Sequence, residues 1–530
     1  MRTPPAKAQA SKTAKSRAAK KRRLDAVEKP SQARWWIAAG AILLAACILR
    51  LIFPDLKPLH HDEGVNGLFM TQLFRTGYYH YDPANYHGPS LYYFGLVTTT
   101  LNALFHGKEG LSTFAIRLVP ALFGIGIIWL VLSLRRYLGD FSVLSAAALL
   151  TVSPGMVYYS RYFIHEIPFV FFTLAIVMAA LRYGETRQPR YLLLASASAA
   201  LLFCTKETCI ISFAVLLLAW ICTRVYLSLR KRPAGQQRAA LSSTDEKREW
   251  RYRQYLYLAA ALVFISISVL FYSSFFTNPH GVADSVRTFD IWVHRGEQST
   301  YTAPWSRYLE WLSREELPIL VLGGLGILIA LWQARQRFAV FVAFWVLGIS
   351  TAYSLVPYKT PWLALNLILP LGIMAGYALG RWYGSTLVHQ SSAVLVLLVA
   401  LGASLRQAID LSFFRYDDDS IPYVYAHTSR QLLDLVREVE QIANRNPAGK
   451  QIGIEIVSPE YWPLPWYFRD YPRALFWGRM VPLSEPVLIA SPQQASAIES
   501  NLGQQYRRYK TYDLRPGNVL VLYLRKDIQP

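Results

Sequence analysis

Cysteine is scarce in this 530-residue chain: Cys47, Cys204, Cys209 and Cys222 are the only four. Their spacing suits neither a disulfide framework nor a cysteine-based metal site. Charge is scarce as well, at 17% of residues, and it comes in blocks between long uncharged stretches. A soluble protein of this length does not distribute charge in that way. Acidic residues are the rarer sign, 34 against 55 Lys and Arg, for a formal net charge of +21. No internal repeat is visible, which argues against transporters built from inverted repeats. No small-residue cleavage site follows the first apolar run, so that run reads as an anchor and not a removable signal.

What the chain does have is apolar length: 53% hydrophobic and 14% aromatic residues, with mean hydropathy +0.21. Runs long enough to cross a bilayer as helices recur at roughly 36–53, 116–134, 141–158, 166–181, 191–204, 209–228, 255–276, 317–333, 338–356, 362–380 and 391–409. The fold class is therefore an all-α polytopic membrane protein with about 11 transmembrane helices.

A twelfth apolar run, Pro89 to Phe105, is sorted by charge. If it lies along or dips into the membrane, the basic loops at Arg135-Arg136, Arg182 to Arg190, 229–254 and Arg335 to Arg337 all fall on the cytoplasmic side. Residues 54–115 then form a long first external loop, and 277–316 a second. The amino terminus is cytoplasmic and the carboxyl terminus external, in a cell inner (plasma) membrane. Residues 1–34 read as a disordered basic tail near anionic headgroups. Because the basic residues cluster between spans, they orient the chain, and nucleic acid is not an expected partner. After 35–409, residues 410–530 change character to a small extracytoplasmic α/β domain. It has a helix after Thr428 and strands near Ile452–Val457, Val487–Ala490 and Val519–Leu524.

Ionisable residues recur at the external rim: His61, Asp62 and Glu63; Tyr86-His87; Arg161; His165-Glu166; Lys206-Glu207; and Lys359 between two prolines. Such residues at membrane depth are costly, and their convergence on one side points to function. Asp62 and Glu63 can supply a general base and a partner that orients an acceptor or holds a cation. The same pair equally suits a helix N-terminus. Glu63, His61 and His165 are suitable divalent-cation ligands, although their spacing is not that of a known metal motif. Arg161, Lys206 and Lys359 can stabilise a departing phosphate, or can snorkel to ordinary headgroups. Trp292 and the aromatic run Tyr461–Tyr467 can stack on sugars or anchor at the interface.

The layout of His61-Asp62-Glu63, Tyr81-Asp82-Pro83 with His87-Gly88-Pro89, Ser160-Arg161, Thr205-Lys206-Glu207 and the Lys359 turn resembles the GT-C class of membrane glycosyltransferases. That class includes protein O-mannosyltransferases and the aminoarabinose transferase of lipid A. The motifs are closest to a prokaryotic branch, the flippase-activity-associated proteins of archaeal N-glycosylation. The resemblance implies an inverting transfer from a polyprenyl-phosphate-linked sugar to an extracytoplasmic protein, lipid or glycan. It makes Asp62 the base, with Glu63 beside it. Arg161, Lys206 and Lys359 would lie on the donor phosphate, and Tyr86, His87, His165, Glu166 and Glu207 around the substrate. The branch also leaves open a non-catalytic role in translocating lipid-linked sugars. A third reading is a scaffold that presents the 410–530 domain.

Overall fold

The structure is a computed structural model that describes residues 32–84, 87–230, 243–298 and 303–528. Most of the basic tail and Tyr86 lie outside the described residues. All eleven apolar runs fall on helices. Among the described residues, eight helices are long and apolar enough to cross a bilayer. The pair Arg307–Glu315 and Leu317–Gln333 passes the same test together, bent by 115°, and Asp140–Val152 and Pro189–Phe203 are shorter apolar helices. The most enclosed helical segment is Pro361–Trp382, with 89% of its apolar window buried. It packs between Leu317–Gln333 and Asp140–Val152.

Four helices position the first loop: α1 (Gln32–Leu51), α2 (His61–Thr76), α3 (Ser90–His106) and α4 (Thr113–Leu132). α3, the Pro89–Phe105 run of the sequence, has two faces. Leu91, Tyr92 and Thr99 are buried, whereas Val97, Leu101, Leu104 and Phe105 are exposed. An apolar outer face of this kind suits contact with lipid.

The carboxyl-terminal part folds into a five-stranded sheet of order β2-β1-β3-β5-β4. Its strands are β1 (Ile454–Ile456), β2 (Ala474–Phe476), β3 (Val487–Ala490), β4 (Tyr506–Arg515) and β5 (Asn518–Arg525). β1 pairs in parallel with β2 and β3, while β5 runs antiparallel to β3 and β4. Alternation decides which side each residue faces. Ile454, Ile456, Ile489 and Leu522 pack under helix Gln431–Arg445 through Leu432, Leu435 and Val439. Leu488, Val521 and Tyr523 pack on Ile498 of helix Pro492–Leu502. The helix expected after Thr428 begins at Gln431, whose N–H donates to Ser429 Oγ (3.3 Å).

This domain rests directly on the first loop. A Cβ at Gly64 would lie 2.3 Å from Pro463 Cβ, so only glycine lets the Trp462–Pro463 turn lie on α2. Trp466 is buried and its indole N–H donates to Thr113 Oγ1 (3.3 Å). Leu59 N–H donates to Tyr467 Oη (2.9 Å), and Arg469 reaches Leu111 O (2.9 Å). Trp466 and Tyr467 of the aromatic run thus act as a docking surface within the chain.

Candidate active site at the first loop

α2 starts with a reciprocal cap. His60 Nδ1 accepts from Asp62 N–H (3.1 Å), and Glu63 Oε2 accepts from His60 N–H (3.0 Å). His60 Nε2 donates to Tyr425 O (2.9 Å), so its tautomer is set by the cap and the chain behind it. The helical advance of about 100° per residue then sends the two carboxylates in different directions.

Glu63 turns inward and is fully buried. Its Oε1 accepts from Arg117 Nε (2.8 Å) and Phe163 N–H (2.8 Å). Its Oε2 accepts from Arg117 Nη2 (2.7 Å) as well as His60. Burial alone would raise its pKa, but Arg117 and Lys57 hold it below the usual carboxylate range. Both oxygens are committed, so the expected roles of Glu63 toward an acceptor or a cation are corrected to a structural one. Arg117 completes the knot by donating to Pro54 O (2.6 Å), Lys57 O (3.0 Å) and Pro58 O (3.2 Å).

Asp62 turns the other way, into a cavity of about 240 Å³ that it shares with His61, Asn66, His87, His165, Glu166, Glu207, Trp292 and Trp362. The loop carrying His87 is held by close backbone approach. Gly88 N–H donates to Thr205 O (3.1 Å) and Ser90 N–H to Cys204 O (3.0 Å). A Cβ at Gly88 would meet Cys204 O at 2.2 Å. This seats His87 Nδ1 2.8 Å from Glu207 Oε2. Glu207 is held down to about 2: burial opposes this, but His87 and Lys206 outweigh it. Lys206 Nζ donates to Glu166 Oε1 (2.6 Å). Although burial would lower its pKa, Glu166 and Glu207 raise it, so Lys206 is charged. His165 Nε2 donates to Gly88 O (3.1 Å). Burial, then His87 and Lys206, push the pKa of His165 well down, leaving a neutral ring whose Nδ1 is an acceptor.

Two of the three expected phosphate cations are engaged elsewhere. Arg161 donates to Leu49 O (3.3 Å), Ile52 O (2.6 Å) and Phe53 O (2.7 Å), with its guanidinium over the Phe413 ring. It satisfies carbonyls at the end of α1 and is corrected from phosphate ligand to helix terminator. Lys359 Nζ donates to Tyr353 O (3.2 Å), Ser354 O (3.0 Å) and Val356 O (2.5 Å), which caps helix Arg337–Leu355. Of the four residues expected to share one pocket, only Asp62 lines the cavity; Lys206 sits behind it on Glu166, and Arg161 and Lys359 are engaged elsewhere.

The expected cation ligands are not brought together either. Glu63 is bound to Arg117, His165 Nε2 to Gly88, and His61 Nδ1 accepts from Arg515 Nη1 (3.2 Å). Among the described residues no group of three His, Cys, Asp or Glu side chains is placed to hold a metal ion.

Sequence reasoning missed Arg117 and Arg515. Arg117 had a signal, a single charge inside an apolar run, which is costly without a partner. Arg515 lies in β4, and its link to His61 across the docked domain left no trace in the sequence. Of the aromatics, Trp292 does line the cavity, joined by Trp362.

Residues 91–235 match the dolichyl-phosphate-mannose-protein mannosyltransferase family. No curated protein matches the sequence. Among solved structures, apo ArnT from Cupriavidus metallidurans matches with a TM-score of 0.62 at 16% identity, over 92% of this chain and 98% of that one. The chain has the GT-C glycosyltransferase fold. ArnT bound to undecaprenyl phosphate gives the same TM-score at 18% identity, over 94% of this chain and 100% of that one. Arabinofuranosyltransferase AftD from Mycobacteria matches with a TM-score of 0.46 at 14% identity, over 94% of this chain and 40% of AftD. With this fold and eight helices long and apolar enough to cross a bilayer among the described residues, the chain is a multi-pass membrane protein. The family match spans His165, Glu166, Lys206 and Glu207 but not Asp62 or the carboxyl-terminal sheet.

Proposed function

We propose that this chain transfers a sugar from a polyprenyl-phosphate-linked donor to an acceptor outside the cytoplasm, with Asp62 as general base. One observation carries the assignment. Asp62 is the cavity carboxylate whose oxygens make no hydrogen bond or ion pair among the described residues, whereas Glu166 and Glu207 are paired with Lys206 and His87. A base must have a free lone pair when the acceptor hydroxyl arrives. His165 Nδ1, Asn66 and the two tryptophans surround the space a sugar ring would fill. The charged Lys206 behind Glu166 is a built-in cation for the departing phosphate, and fixed charge in a water-poor site stabilises it strongly. Inversion follows if the acceptor attacks from the Asp62 side, opposite the phosphate. ArnT, which shares the fold, has been solved with undecaprenyl phosphate, and that supports a polyprenyl carrier here. The motifs favour the archaeal N-glycosylation branch, and the distribution of basic loops favours a cytoplasmic amino terminus.

The test is mass spectrometry of lipids that co-purify with the full chain, followed by assay of a labelled polyprenyl-phosphate sugar in proteoliposomes. The expected result is a bound polyprenyl phosphate or its glycosylated form, and release of free polyprenyl phosphate that Asp62→Asn abolishes. Movement of the labelled lipid across the bilayer that survives Asp62→Asn, with no sugar release in either protein, would replace transfer with translocation.

A further inference from the structure

The carboxyl-terminal domain reaches the Asp62 cavity through one charged side chain. Arg515 is the last residue of β4, just before the Pro516-Gly517 turn into β5, where Gly517 takes φ 80°. The β4–β5 ladder shifts register between Asp513 and Arg515, an irregularity of the kind that re-aims a side chain. Arg515 extends from there to α2. Its Nη1 donates to His61 Nδ1 (3.2 Å), and its Nη2 donates to Trp462 O (2.9 Å), in the turn that rests on Gly64. Its ion pair with Glu460 is long, at 3.5 Å, and the glutamate side chain is 51% exposed. Solvent screens such a pair, so it does little to hold the guanidinium.

Two consequences for His61 follow. A guanidinium has donors and no acceptor. His61 Nδ1 must therefore accept, which places the ring proton on Nε2. Among the described residues Nε2 has no hydrogen-bond partner, and His61 lines the cavity beside Asp62. The ring is also kept uncharged. Burial is the largest cause and lowers its pKa; Asp62 and Glu460 raise it, Arg515 and His60 lower it, and the balance is downward. An imidazolium at this position would sit one residue from Asp62 and compete for its oxygens.

We propose that Arg515 is a positioning residue for sugar transfer: it fixes the His61 tautomer so that Nε2–H donates to an oxygen of the bound lipid-linked sugar beside Asp62. The inference rests on the reading of Asp62 as base. A donor set in place beforehand needs no reorganisation when charge develops. The docked domain thereby takes part in the chemistry, since the residue that orients His61 lies 454 positions along the chain from it.

The experiment has two arms, both on the full-length protein. In the first, diethyl pyrocarbonate, which modifies uncharged imidazole, is applied across a pH series, and modification of His61 is read by tandem mass spectrometry. The parent should stay reactive below pH 6.5, whereas Arg515→Met should lose reactivity as the pH falls through that value. In the second, kcat is measured in proteoliposomes with a labelled polyprenyl-phosphate sugar. His61→Leu and Arg515→Met should each lower it about tenfold, and the double variant no further, because the two side chains act as one unit. His61→Gln, which keeps an N–H donor and does not titrate, should recover most of the loss. Multiplied losses in the double variant, or a His61→Gln as poor as His61→Leu, would make Arg515 a support of the docked domain and overturn the proposal. Should Arg515→Met not fold, His61→Leu decides: activity equal to the parent overturns the proposal, and a loss that His61→Gln repairs sustains it. An unshifted His61 profile in Arg515→Met with Asp62-dependent sugar release overturns this proposal alone. Release that persists in Asp62→Asn overturns the base assignment, and this proposal with it.

Discussion

The two sides of the first turn of α2 hold the same kinds of residue and use them in opposite ways. On the inner side, Glu63, Arg117, Lys57 and Arg161 are tied to each other, to aromatic rings or to backbone carbonyls. On the cavity side, Asp62, His87, His165 and the pairs Glu166–Lys206 and Glu207–His87 surround open space. Charge at a membrane rim is therefore not by itself a sign of chemistry. What separates the two carboxylates is that both oxygens of Glu63 have spent their bonding capacity on the protein, whereas those of Asp62 have not.

The sharpest way to break this comparison is on the inner side. Arg117→Met leaves Glu63 buried and unpaired, and should cost about 3–5 kcal/mol. It should be seen as loss of a monodisperse peak in size exclusion or a large fall in unfolding temperature. Arg117→Met with Glu63→Gln should recover part of that loss, and a single variant as stable as the parent would dissolve the distinction. On the cavity side, Asp62→Asn should lower sugar transfer by about 10²–10⁴-fold and leave thermal unfolding unchanged. A destabilised Asp62→Asn would move that residue into the scaffold.

A smaller effect is expected at the two redirected cations. Arg161→Met and Lys359→Met each strand backbone carbonyls and should cost about 1–3 kcal/mol, with the KM for the lipid-linked donor unchanged. A tenfold rise in KM without loss of stability would return them to the donor phosphate. The smallest effect is the response to pH. Burial and neighbouring positive charge depress the pKa of His165, so its contribution to stability is complete above 6.5 and falls as the pH drops through that value. Glu207, held to about 2, contributes fully above 4.5 and loses its share between there and about 2. The unfolding temperature should thus fall in two stages on acidification, and Glu207→Gln should shrink only the lower one, to which Glu63 also contributes.

The helices were legible because hydropathy accumulates over some twenty residues and survives local ambiguity. The two sides of the Asp62–Glu63 pair were not legible. Their difference depends on Arg117, 54 positions from Glu63, and on the phase of a helix whose cap is His60. The meeting of His87-Gly88-Pro89 with Thr205-Lys206-Glu207 was anticipated as a shared rim, but its geometry comes from hydrogen bonds between backbones. Arg161 and Lys359 misled for one physical reason. A backbone carbonyl at a helix end also accepts from a cation, and every residue type supplies that carbonyl. β4, with its charged outer positions, lacked the apolar alternation that announced β1, β3 and β5.

The seat of Tyr467 on Leu59 joins positions 408 residues apart, and Gly64 awaits Pro463 across a similar stretch of sequence. During synthesis the helix bearing Asp62 therefore emerges bare, and its covering arrives only with the last hundred or so residues. An unfinished or truncated chain can insert every span and still leave Leu59 and the Gly64 face of α2 uncovered.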